Sequence, residues 1–376
     1  MKRILIANDL LKGGGVENVL DILVRYLMKR GNEITLMIPN CSENEARSRF
    51  GEAVKVFPSM RTLKYLRKFS LHWFFDRGLY ILQKQLYTIR LSIMGYDVIL
   101  ALKEGPIMQE MAKVYAKKKY AWVHVDYNFM HWTEGYFKSN ENEQICMKKF
   151  DKVVCVSQAA ADAVITTIGD PGNLCVRYNP IDVDRIVQLS RYSCKQKKNN
   201  DKFLFICVGR LVPQKNFLLL LDVCSALSKT YVFELWILGE GPDRQELEEK
   251  IQKKSISCVK LLGNQDNPYP YIKEADVFVS VSIIESYGLA IQEALILEVP
   301  VITTECPAIR EVFDARFGLM VDNSFIAIYE AMEKMLMNPN LCKEYRHNIE
   351  QYYSTENYFE KRCQDICSLW EESNEI

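Results

Sequence analysis

The sequence predicts an α/β protein with two doubly wound domains of the Rossmann type, each a parallel sheet with helices on its faces. Three observations predict this class. A short apolar strand, a glycine-rich loop and a helical pattern open the chain, and a second strand follows at residues 33–38. The same alternation starts again at residues 202–208, and 376 residues are enough for two hydrophobic cores. Residues 280–311 have the order strand, loop, helix and strand, which is a parallel crossover.

Composition sets the broad class of the protein. The hydrophobic share of 48% and the charged share of 26% are typical of a soluble globular chain. The net charge is zero, but the first 190 residues carry +7 and the remainder −7, which predicts an anionic partner for one half. The 12 cysteines include no CxxC pair, and many lie in apolar runs, so we expect free thiols in a reducing cytoplasm. The opening MKRILIANDL resembles a strand rather than a secretory signal, and no apolar run approaches the length of a membrane span.

The first domain begins with a strand at residues 3–8 and a helix at residues 16–29. Gly14 and Gly15 lie between them, where glycine lets backbone amides approach a ligand closely, although a simple tight turn explains them equally. The spacing is not GxGxxG, so a nicotinamide site is not indicated. Further strands are predicted at residues 96–102, 120–125 and 151–157.

Residues 61–90 combine basic and aromatic side chains. Seven Lys or Arg residues stand against the single acid Asp76, and the aromatic residues include Trp73, Phe74, Phe75 and Tyr80. An anionic membrane surface attracts such helices. Two amphipathic helices packed on the sheet, with their cations reaching into water, account for the pattern equally well.

His124 is the candidate active-site residue of the first domain. It comes at the carboxyl end of the strand YAWVHVD, where open α/β sheets place their ligands, and Asp126 follows within two positions. A single histidine at such a place is otherwise a hydrogen-bonded structural residue. His72 and His131 lack this context.

The second domain places basic residues after its first strand. An Asn-Pro turn at residues 178–182 precedes a polar loop at residues 190–201 and the strand at residues 202–208. Gly209 follows that strand, and Arg210 and Lys215 come next, where two cations could hold a pyrophosphate. Solvated loop cations are the alternative. A strand at residues 233–238, a GEGP turn and a charged helix from residue 243 continue the alternation.

Two glutamates mark the crossover in residues 280–311. Glu285 follows the strand at residues 276–281, and Glu293 lies eight positions later in the next helix, a rise of roughly 12 Å. Unpaired N–H groups of the turn at 286–289 would suit a phosphate between the two carboxylates. These turn residues are Ser286, Tyr287, Gly288 and Leu289. Two acids on a solvated helix face are the other explanation.

Six blocks, in order along nearly the whole chain, resemble those of the retaining glycosyltransferases of family 4, also called glycosyl transferases group 1. The blocks are GGxE at residue 14, WVHVD at 122, NPID at 179, VGRLVPQKN at 208, the Glu pair at 285 and 293, and GLMV at 318. The resemblance implies a GT-B fold, in which two Rossmann-like domains face each other across a cleft. It implies an acceptor-binding domain at 1–178, with the C-terminal helix at about 356–376 packing back on it, and a nucleotide-sugar domain at 179–355.

The resemblance also implies the residue roles. Arg210 and Lys215 neutralise the leaving diphosphate together with the turn at 286–289, while Glu285 contacts the donor sugar. Glu293 contacts the ribose. His124 and the backbone at Gly14 hold the sugar against the acceptor. Catalysis is then mainly positioning and charge stabilisation.

The family retains anomeric configuration and generally needs no bound metal or other cofactor. Asp182 and Asp184 have an Asp-x-Asp spacing, but they follow the crossover turn. Two departures from the family pattern concern the donor sugar more than the reaction. Ser286 replaces a common Gly, and residues 307–311 lack the Gly that often precedes the last Glu.

The sequence therefore predicts a transferase that moves a sugar from a UDP- or GDP-sugar to a saccharide or a lipid-linked saccharide. A GT-B nucleotide-sugar epimerase and a non-catalytic nucleotide-sugar-binding partner of a glycan assembly complex remain open. We expect a cytoplasmic protein, possible contact with the inner face of the membrane through residues 61–90, and no nucleic-acid partner.

Overall fold

The computed structural model of the chain describes residues 1–11, 14–38, 42–51, 54–57, 85–199, 201–353 and 358–371. They form two compact units, one of Met1–Ile181 with Phe359–Ile376 and one of Asp182–Tyr358. Each unit has its own sheet and its own hydrophobic core. None of the helices in these ranges is long and apolar enough to cross a bilayer.

The first unit is built on a parallel sheet. Its strands are β1 (Arg3–Ala7), β2 (Glu33–Met37), β3 (Lys55–Val56), β4 (Val98–Ala101), β5 (Lys118–Val123), β6 (Lys152–Cys155) and β7 (Leu174–Val176). Its described helices up to residue 181 are α1 (Gly15–Lys29), α2 (Glu43–Phe50), α3 (85–93), α4 (Pro106–Met111), α5 (Asn140–Met147) and α6 (Gln158–Ile168). The strand order is β3-β2-β1-β4-β5-β6-β7, and β1 and β4 lie side by side where the order reverses.

The second unit repeats this winding. Its strands are β8 (Phe203–Val208), β9 (Phe233–Leu238), β10 (Val259–Gly263), β11 (Val277–Ser280), β12 (Val301–Thr304) and β13 (Gly318–Val321). Its helices are α7 (Val183–Ser190), α8 (Phe217–Leu227), α9 (Arg244–Lys253), α10 (Tyr269–Glu274), α11 (Leu289–Ile296), α12 (Pro307–Val312), α13 (Phe325–Met337) and α14 (Pro339–Tyr353). The order β10-β9-β8-β11-β12-β13 is again parallel throughout, with its reversal between β8 and β11.

The apolar runs of the sequence become the central strands. Ile4, Leu5 and Ile6 of β1 are fully buried although they point alternately to opposite faces. A parallel strand with helices on both faces has no solvent side, which is why its sequence is continuously apolar. The predicted α/β fold with two doubly wound sheets is thus confirmed.

The predicted strands lie within two residues of the observed ones, and one of these shifts affects the site. The strand expected at 120–125 spans Lys118–Val123, because Lys118 already pairs with Val98 and the last partner of β6, Cys155, is opposite Val123. His124 is therefore the first residue after the strand. The edge strands β3 and β7 were not predicted, since two or three residues carry no detectable periodicity.

The last helix, α15 (Tyr358–Glu371), packs on the first unit. The Tyr120 hydroxyl donates to the carbonyl of Leu369 at 2.5 Å, and the Lys2 ammonium donates to the carbonyl of Trp370 at 2.7 Å. The rings of Tyr120 and Trp370 are 5.6 Å apart. These contacts satisfy carbonyl oxygens in the last turn of the helix, which have no partners within it.

The cysteines of the described ranges form no disulfide with one another; nine of them are buried, as expected from their apolar surroundings, and two are half-buried. Burial raises the pKa of the Cys155 and Cys207 thiols well above the usual range, so these side chains are protonated packing groups.

Candidate active site

The second unit brings its predicted residues to one edge of the sheet. β8 and β11 are neighbours, so the residues that follow their carboxyl ends lie beside each other. Gly209 and Arg210 follow β8, while Glu285 lies in the loop after β11. This is the switch point of the sheet, the place where doubly wound folds bind ligands.

Lys215 and Glu285 form an ion pair at this edge. Lys215 Nζ lies 2.5 Å from Glu285 Oε1, and the two side chains are 21% and 14% exposed. The Ser282 hydroxyl donates to the same oxygen at 2.7 Å. Among the described residues, Glu285 Oε2 has no hydrogen-bond partner. The sugar-side acid and the phosphate-side cation predicted from the sequence therefore contact each other in this structure.

Backbone hydrogen bonds join the two loops that carry this pair. The Ile283 N–H donates to the carbonyl of Gln214 at 2.9 Å, and the Gln214 amide donates to the carbonyl of Ile284 at 2.9 Å. The Asn323 amide donates to the carbonyls of Val281 and Ser282, each at 3.1 Å. The loop after β11 is thus held from both sides, which fixes the position of the Glu285 side chain.

Arg210 is exposed, and its guanidinium makes no hydrogen bond or ion pair with any described residue. The backbone beneath it is closely packed. A Cβ placed on Gly239 would lie 1.9 Å from the carbonyl oxygen of Gly209, and the φ of Gly239 is +142°. Only glycine allows the loop after β9 to approach the backbone of Gly209 so closely.

The turn at 286–289 leads into α11. Gly288 is the N-cap residue and has left-handed φ and ψ of 73° and 43°, so the chain can enter the helix at Leu289 directly after Ser286 and the buried Tyr287. The N–H groups of Gly288 and Leu289 have no acceptor within the described residues. An eight-residue helix with such free donors favours an anion at its N-terminus.

Glu293 lies inside the second unit on α11. It is buried, and its Oε1 accepts a hydrogen bond from the Tyr269 hydroxyl at 3.3 Å. Burial raises the pKa of Glu293 to about 7, and the hydrogen bond from Tyr269 partly opposes that rise. Near neutral pH this carboxyl group is therefore shared between its neutral and charged forms.

In the first unit, His124 is buried at the end of β5. Burial lowers its pKa to about 3, with a smaller contribution from the charge of Lys103, while a hydrogen bond from the ring to the carbonyl of Leu102 opposes this shift. The ring is therefore neutral at physiological pH. Its Nε2 is buried and has no hydrogen-bond partner within the described chain, which leaves one unsatisfied acceptor at this edge of the sheet.

Glu104 supports His124, and it was not predicted from the sequence. Its Oε2 accepts from the backbone N–H of His124 at 3.0 Å, and its Oε1 accepts from Trp132 Nε1 at 2.8 Å. Burial raises the pKa of this carboxyl group. The signal was present, because Glu104 follows the strand β4 at the same edge of the sheet as His124 follows β5.

Lys103 completes this corner. Its Nζ lies 3.4 Å from Asp9 Oδ2, and it lies over the ring of Trp132 at 5.5 Å from the centroid. Asp9 follows β1, so three adjacent strands contribute polar groups to one edge.

The glycines of the first loop flank α1. Gly14 is its N-cap residue with an extended backbone, and Gly15 is its first residue, both exposed. The preceding Gly13 lies outside the described residues. His131 Nε2 lies 2.7 Å from Oε2 of the buried Glu143 carboxylate. The hydroxyl groups of Tyr127 and Thr133 donate to the other oxygen of the same carboxylate. His131 therefore has a structural role.

Most of the basic and aromatic run at 61–90 also lies outside the described residues, as does His72; only its last six residues belong to α3. Within the described ranges, no group of three or more His, Cys, Asp or Glu side chains is arranged to hold a metal ion.

Two models of known protein families together match most of the chain. Residues 13–185 match the model described as Glycosyltransferase Family 4, and residues 190–352 match the model described as Glycosyl transferases group 1. The two matches are consecutive and follow the division into two units.

Curated relatives carry the same class of name. An uncharacterized glycosyltransferase of Methanocaldococcus jannaschii is 35% identical over 133 residues, which is 34% of this chain and 33% of that protein. The N-acetylgalactosamine-N,N'-diacetylbacillosaminyl-diphospho-undecaprenol 4-alpha-N-acetylgalactosaminyltransferase of Campylobacter jejuni is 29% identical over 227 residues, or 57% of this chain and 60% of that one. The chain thus spans between a third and three fifths of the length of these relatives.

The crystal structure of Anabaena HepE in complex with UDP and glucose is similar over 98% of this chain and 99% of that one, with a TM-score of 0.75 and 17% identity. This similarity and the two parallel sheets show the GT-B fold, which is shared by a class of glycosyltransferases. Within that class, the chain belongs to glycosyltransferase family 4, with the glycosyl transferases group 1 domain as its second half.

Proposed function

We propose that the protein is a retaining glycosyltransferase that moves a sugar from a UDP- or GDP-sugar to a saccharide or lipid-linked saccharide acceptor in glycan biosynthesis. One observation carries this proposal. Arg210, Lys215 and the open N-terminus of α11 lie in loops at the carboxyl edge of one sheet, with Glu285 beside them. Two cations and free N–H donors suit a diphosphate, and an adjacent carboxylate suits sugar hydroxyls.

In this proposal the chain works by positioning and by charge. Arg210, Lys215 and the N–H groups at Gly288 and Leu289 stabilise the negative charge that develops on the departing diphosphate. Glu285 accepts hydrogen bonds from the donor sugar.

Glu293 accepts from the ribose, which its raised pKa allows whether or not it carries a proton. His124 offers the lone pair of Nε2 to a sugar hydroxyl, and Gly14 contributes backbone contacts.

The reaction as proposed needs no metal ion or other cofactor, because the protein itself supplies the positive charge that the diphosphate requires. The expected result is that chelation with EDTA leaves the transfer rate unchanged.

The acceptor and the cellular location are proposed on separate grounds. The name of the Campylobacter jejuni relative contains a diphospho-undecaprenol, which supports a lipid-linked acceptor. On α3, Leu86, Ile89 and Ile93 are 56%, 51% and 79% exposed; the first two belong to the basic and aromatic run at 61–90, and Ile93 follows it by one helical turn. A cytoplasmic enzyme that contacts the inner face of the membrane accounts for both observations.

The test measures donor turnover. UDP-, GDP- and ADP-sugars are incubated with the purified chain, with and without a panel of saccharide and lipid-linked saccharide acceptors. A transferase gives glycoside and free nucleoside diphosphate only when both substrates are present, and NMR of the anomeric proton reads retention. Conversion of the donor without an acceptor would instead indicate an epimerase, and binding without turnover would indicate a binding partner.

The variant Glu285→Ala should abolish transfer. The control variant Glu330→Ala changes an exposed acid on α13 and should transfer at the wild-type rate.

A further inference from the structure

We propose that Glu285 competes with the donor diphosphate for Lys215, so that the chain exchanges one anion for another when the donor binds and again when the product leaves. This inference rests on the proposed function, and it concerns how the same site loads and empties. Lys215 Nζ and Glu285 Oε1 are 2.5 Å apart in the structure, so the cation that the donor diphosphate requires already has a carboxylate partner.

The pair is built rather than incidental. The Ser282 hydroxyl donates to the same Glu285 oxygen at 2.7 Å, which holds the carboxylate toward the cation. The Thr304 hydroxyl donates to the carbonyl of Ser282 at 2.5 Å, and Asn323 donates to it from the other side at 3.1 Å. Three side chains therefore maintain the geometry of one ion pair: Ser282 of the same loop, Thr304 at the end of β12 and Asn323 of the loop after β13.

The two cations of the site differ because of this pair. Arg210 is exposed and has no partner within the described residues, whereas Lys215 is already neutralised by Glu285. An incoming diphosphate meets Arg210 and the N-terminus of α11 directly. It gains the full charge of Lys215 only when the ammonium moves away from Glu285.

The exchange links the two ends of the donor. When Lys215 turns to the diphosphate, Glu285 loses its counter-ion and keeps only the Ser282 hydroxyl, so both oxygens can accept from sugar hydroxyls. After the sugar has been transferred, those hydroxyls are gone. Glu285 then regains Lys215, which weakens the hold on the nucleoside diphosphate and favours its release.

Substitution of an ordinary binding residue weakens ligand binding, whereas competition for Lys215 predicts that neutralising Glu285 strengthens the binding of the nucleoside diphosphate. Glu285→Gln keeps the size and the Ser282 contact but removes the charge. The variant should lose transfer activity and yet bind UDP or GDP about tenfold more tightly. The affinity rises because the negative charge of Glu285, a few ångströms from the bound diphosphate, no longer competes for Lys215. Isothermal titration calorimetry of each nucleoside diphosphate into the full chain measures the dissociation constant.

Two further variants separate competition from general repulsion. Glu305→Gln removes an acid that follows β12 and has its own partner, Arg310 at 2.7 Å, and it should leave nucleotide affinity within about twofold of wild type. In a Lys215→Met background, Glu285→Gln should give a gain of less than about threefold, since the contested cation is gone.

The outcomes are distinct. If wild type binds a nucleoside diphosphate but Glu285→Gln binds it equally or more weakly, the competition is overturned and the proposed function stands. The competition is likewise overturned if Glu305→Gln gives an equal gain, or if the gain persists in Lys215→Met. If wild type binds none of UDP, GDP and ADP, the proposed function itself fails, and this inference with it.

Discussion

Glu104 Oε2 accepts a hydrogen bond from the backbone N–H of His124 at 3.0 Å, which joins the carboxyl ends of β4 and β5 through a buried carboxyl group. The other oxygen of Glu104 accepts from the Trp132 indole at 2.8 Å. One side chain therefore positions both the candidate histidine and the aromatic ring of the following loop. Both of these donors are neutral, so substitution of Glu104 tests hydrogen bonding rather than ion pairing.

The variant Glu104→Gln should destabilise the first unit and lower activity. One of its amide hydrogens would face a donor, either His124 N–H or Trp132 Nε1, so a buried hydrogen bond is lost at a cost of about 1–3 kcal/mol. Thermal and urea unfolding measure the first effect and donor turnover the second. The control is Glu134→Gln, which changes an exposed acid two positions after Trp132 and should match wild type in stability and activity. Equal losses in Glu104→Gln and Glu134→Gln would contradict a role for Glu104.

Replacement of Glu293 should change how stability depends on pH. The pKa of Glu293 is about 7 in the folded chain, against an ordinary value of 4.5. Between pH 4.5 and pH 7 the folded chain therefore keeps a proton on Glu293 that the unfolded chain has released. The associated stability is fully present below pH 4.5 and is lost as pH rises through 7. Relative to wild type, Glu293→Gln should therefore gain stability from about pH 5 to about pH 8, with a slope of at most about 1.4 kcal/mol per pH unit.

Urea unfolding at several pH values measures this difference. Comparing the variant with wild type cancels the contribution of His124, whose lowered pKa acts in the opposite direction. The exposed Glu330 supplies the control, since Glu330→Gln should run parallel to wild type. A parallel curve for Glu293→Gln as well would show that Glu293 ionises normally.

Arg210 should matter for the donor and not for folding. It is exposed and unpaired within the described residues, so Arg210→Ala should leave the unfolding temperature unchanged. Steady-state kinetics should show kcat/KM for the donor falling about 100-fold, because one stabiliser of the leaving diphosphate is lost. Arg210→Lys should restore part of the loss, since it keeps the charge without the guanidinium fork.

The control for this variant is Arg316→Ala, which removes an exposed arginine that pairs with Asp314 at 2.7 Å. It should keep wild-type kinetics. Equal losses in Arg210→Ala and Arg316→Ala would point to a general charge effect.

The exposed face of α3 should contribute to membrane binding. A variant with Leu86→Gln, Ile89→Gln and Ile93→Gln should float less with vesicles of phosphatidylcholine and phosphatidylglycerol, because three apolar side chains are lost from one helix face. Binding should weaken in high salt and be absent with phosphatidylcholine alone, as expected for the basic run at 61–90. Ile165→Gln, at another exposed apolar position, should bind as wild type. Flotation that is equal for both variants would contradict the proposed surface.

Sequence alone determined the fold and the order of the elements. The continuous apolar runs at β1, β8 and β11, separated by helical patterns and glycine turns, admit few arrangements other than parallel sheets covered by helices. Glu285 and Glu293 were predicted as site residues from their spacing along one crossover together with the resemblance to family 4, and both signals are local and visible in a sequence. The short edge strands β3 and β7 were missed because they are held by pairing with their neighbours and have no pattern of their own.

Tertiary structure decided which of these residues meet. Lys215 and Glu285 are 70 positions apart, and they form an ion pair because β8 and β11 are adjacent at the reversal of strand order. Glu104 and His124 meet in the same way, because β4 and β5 are neighbours. Burial, too, became known only from packing, and it is burial that raises the pKa of Glu293 and keeps His124 neutral. A sequence specifies residue types along a line, whereas contact and desolvation depend on which strands become neighbours.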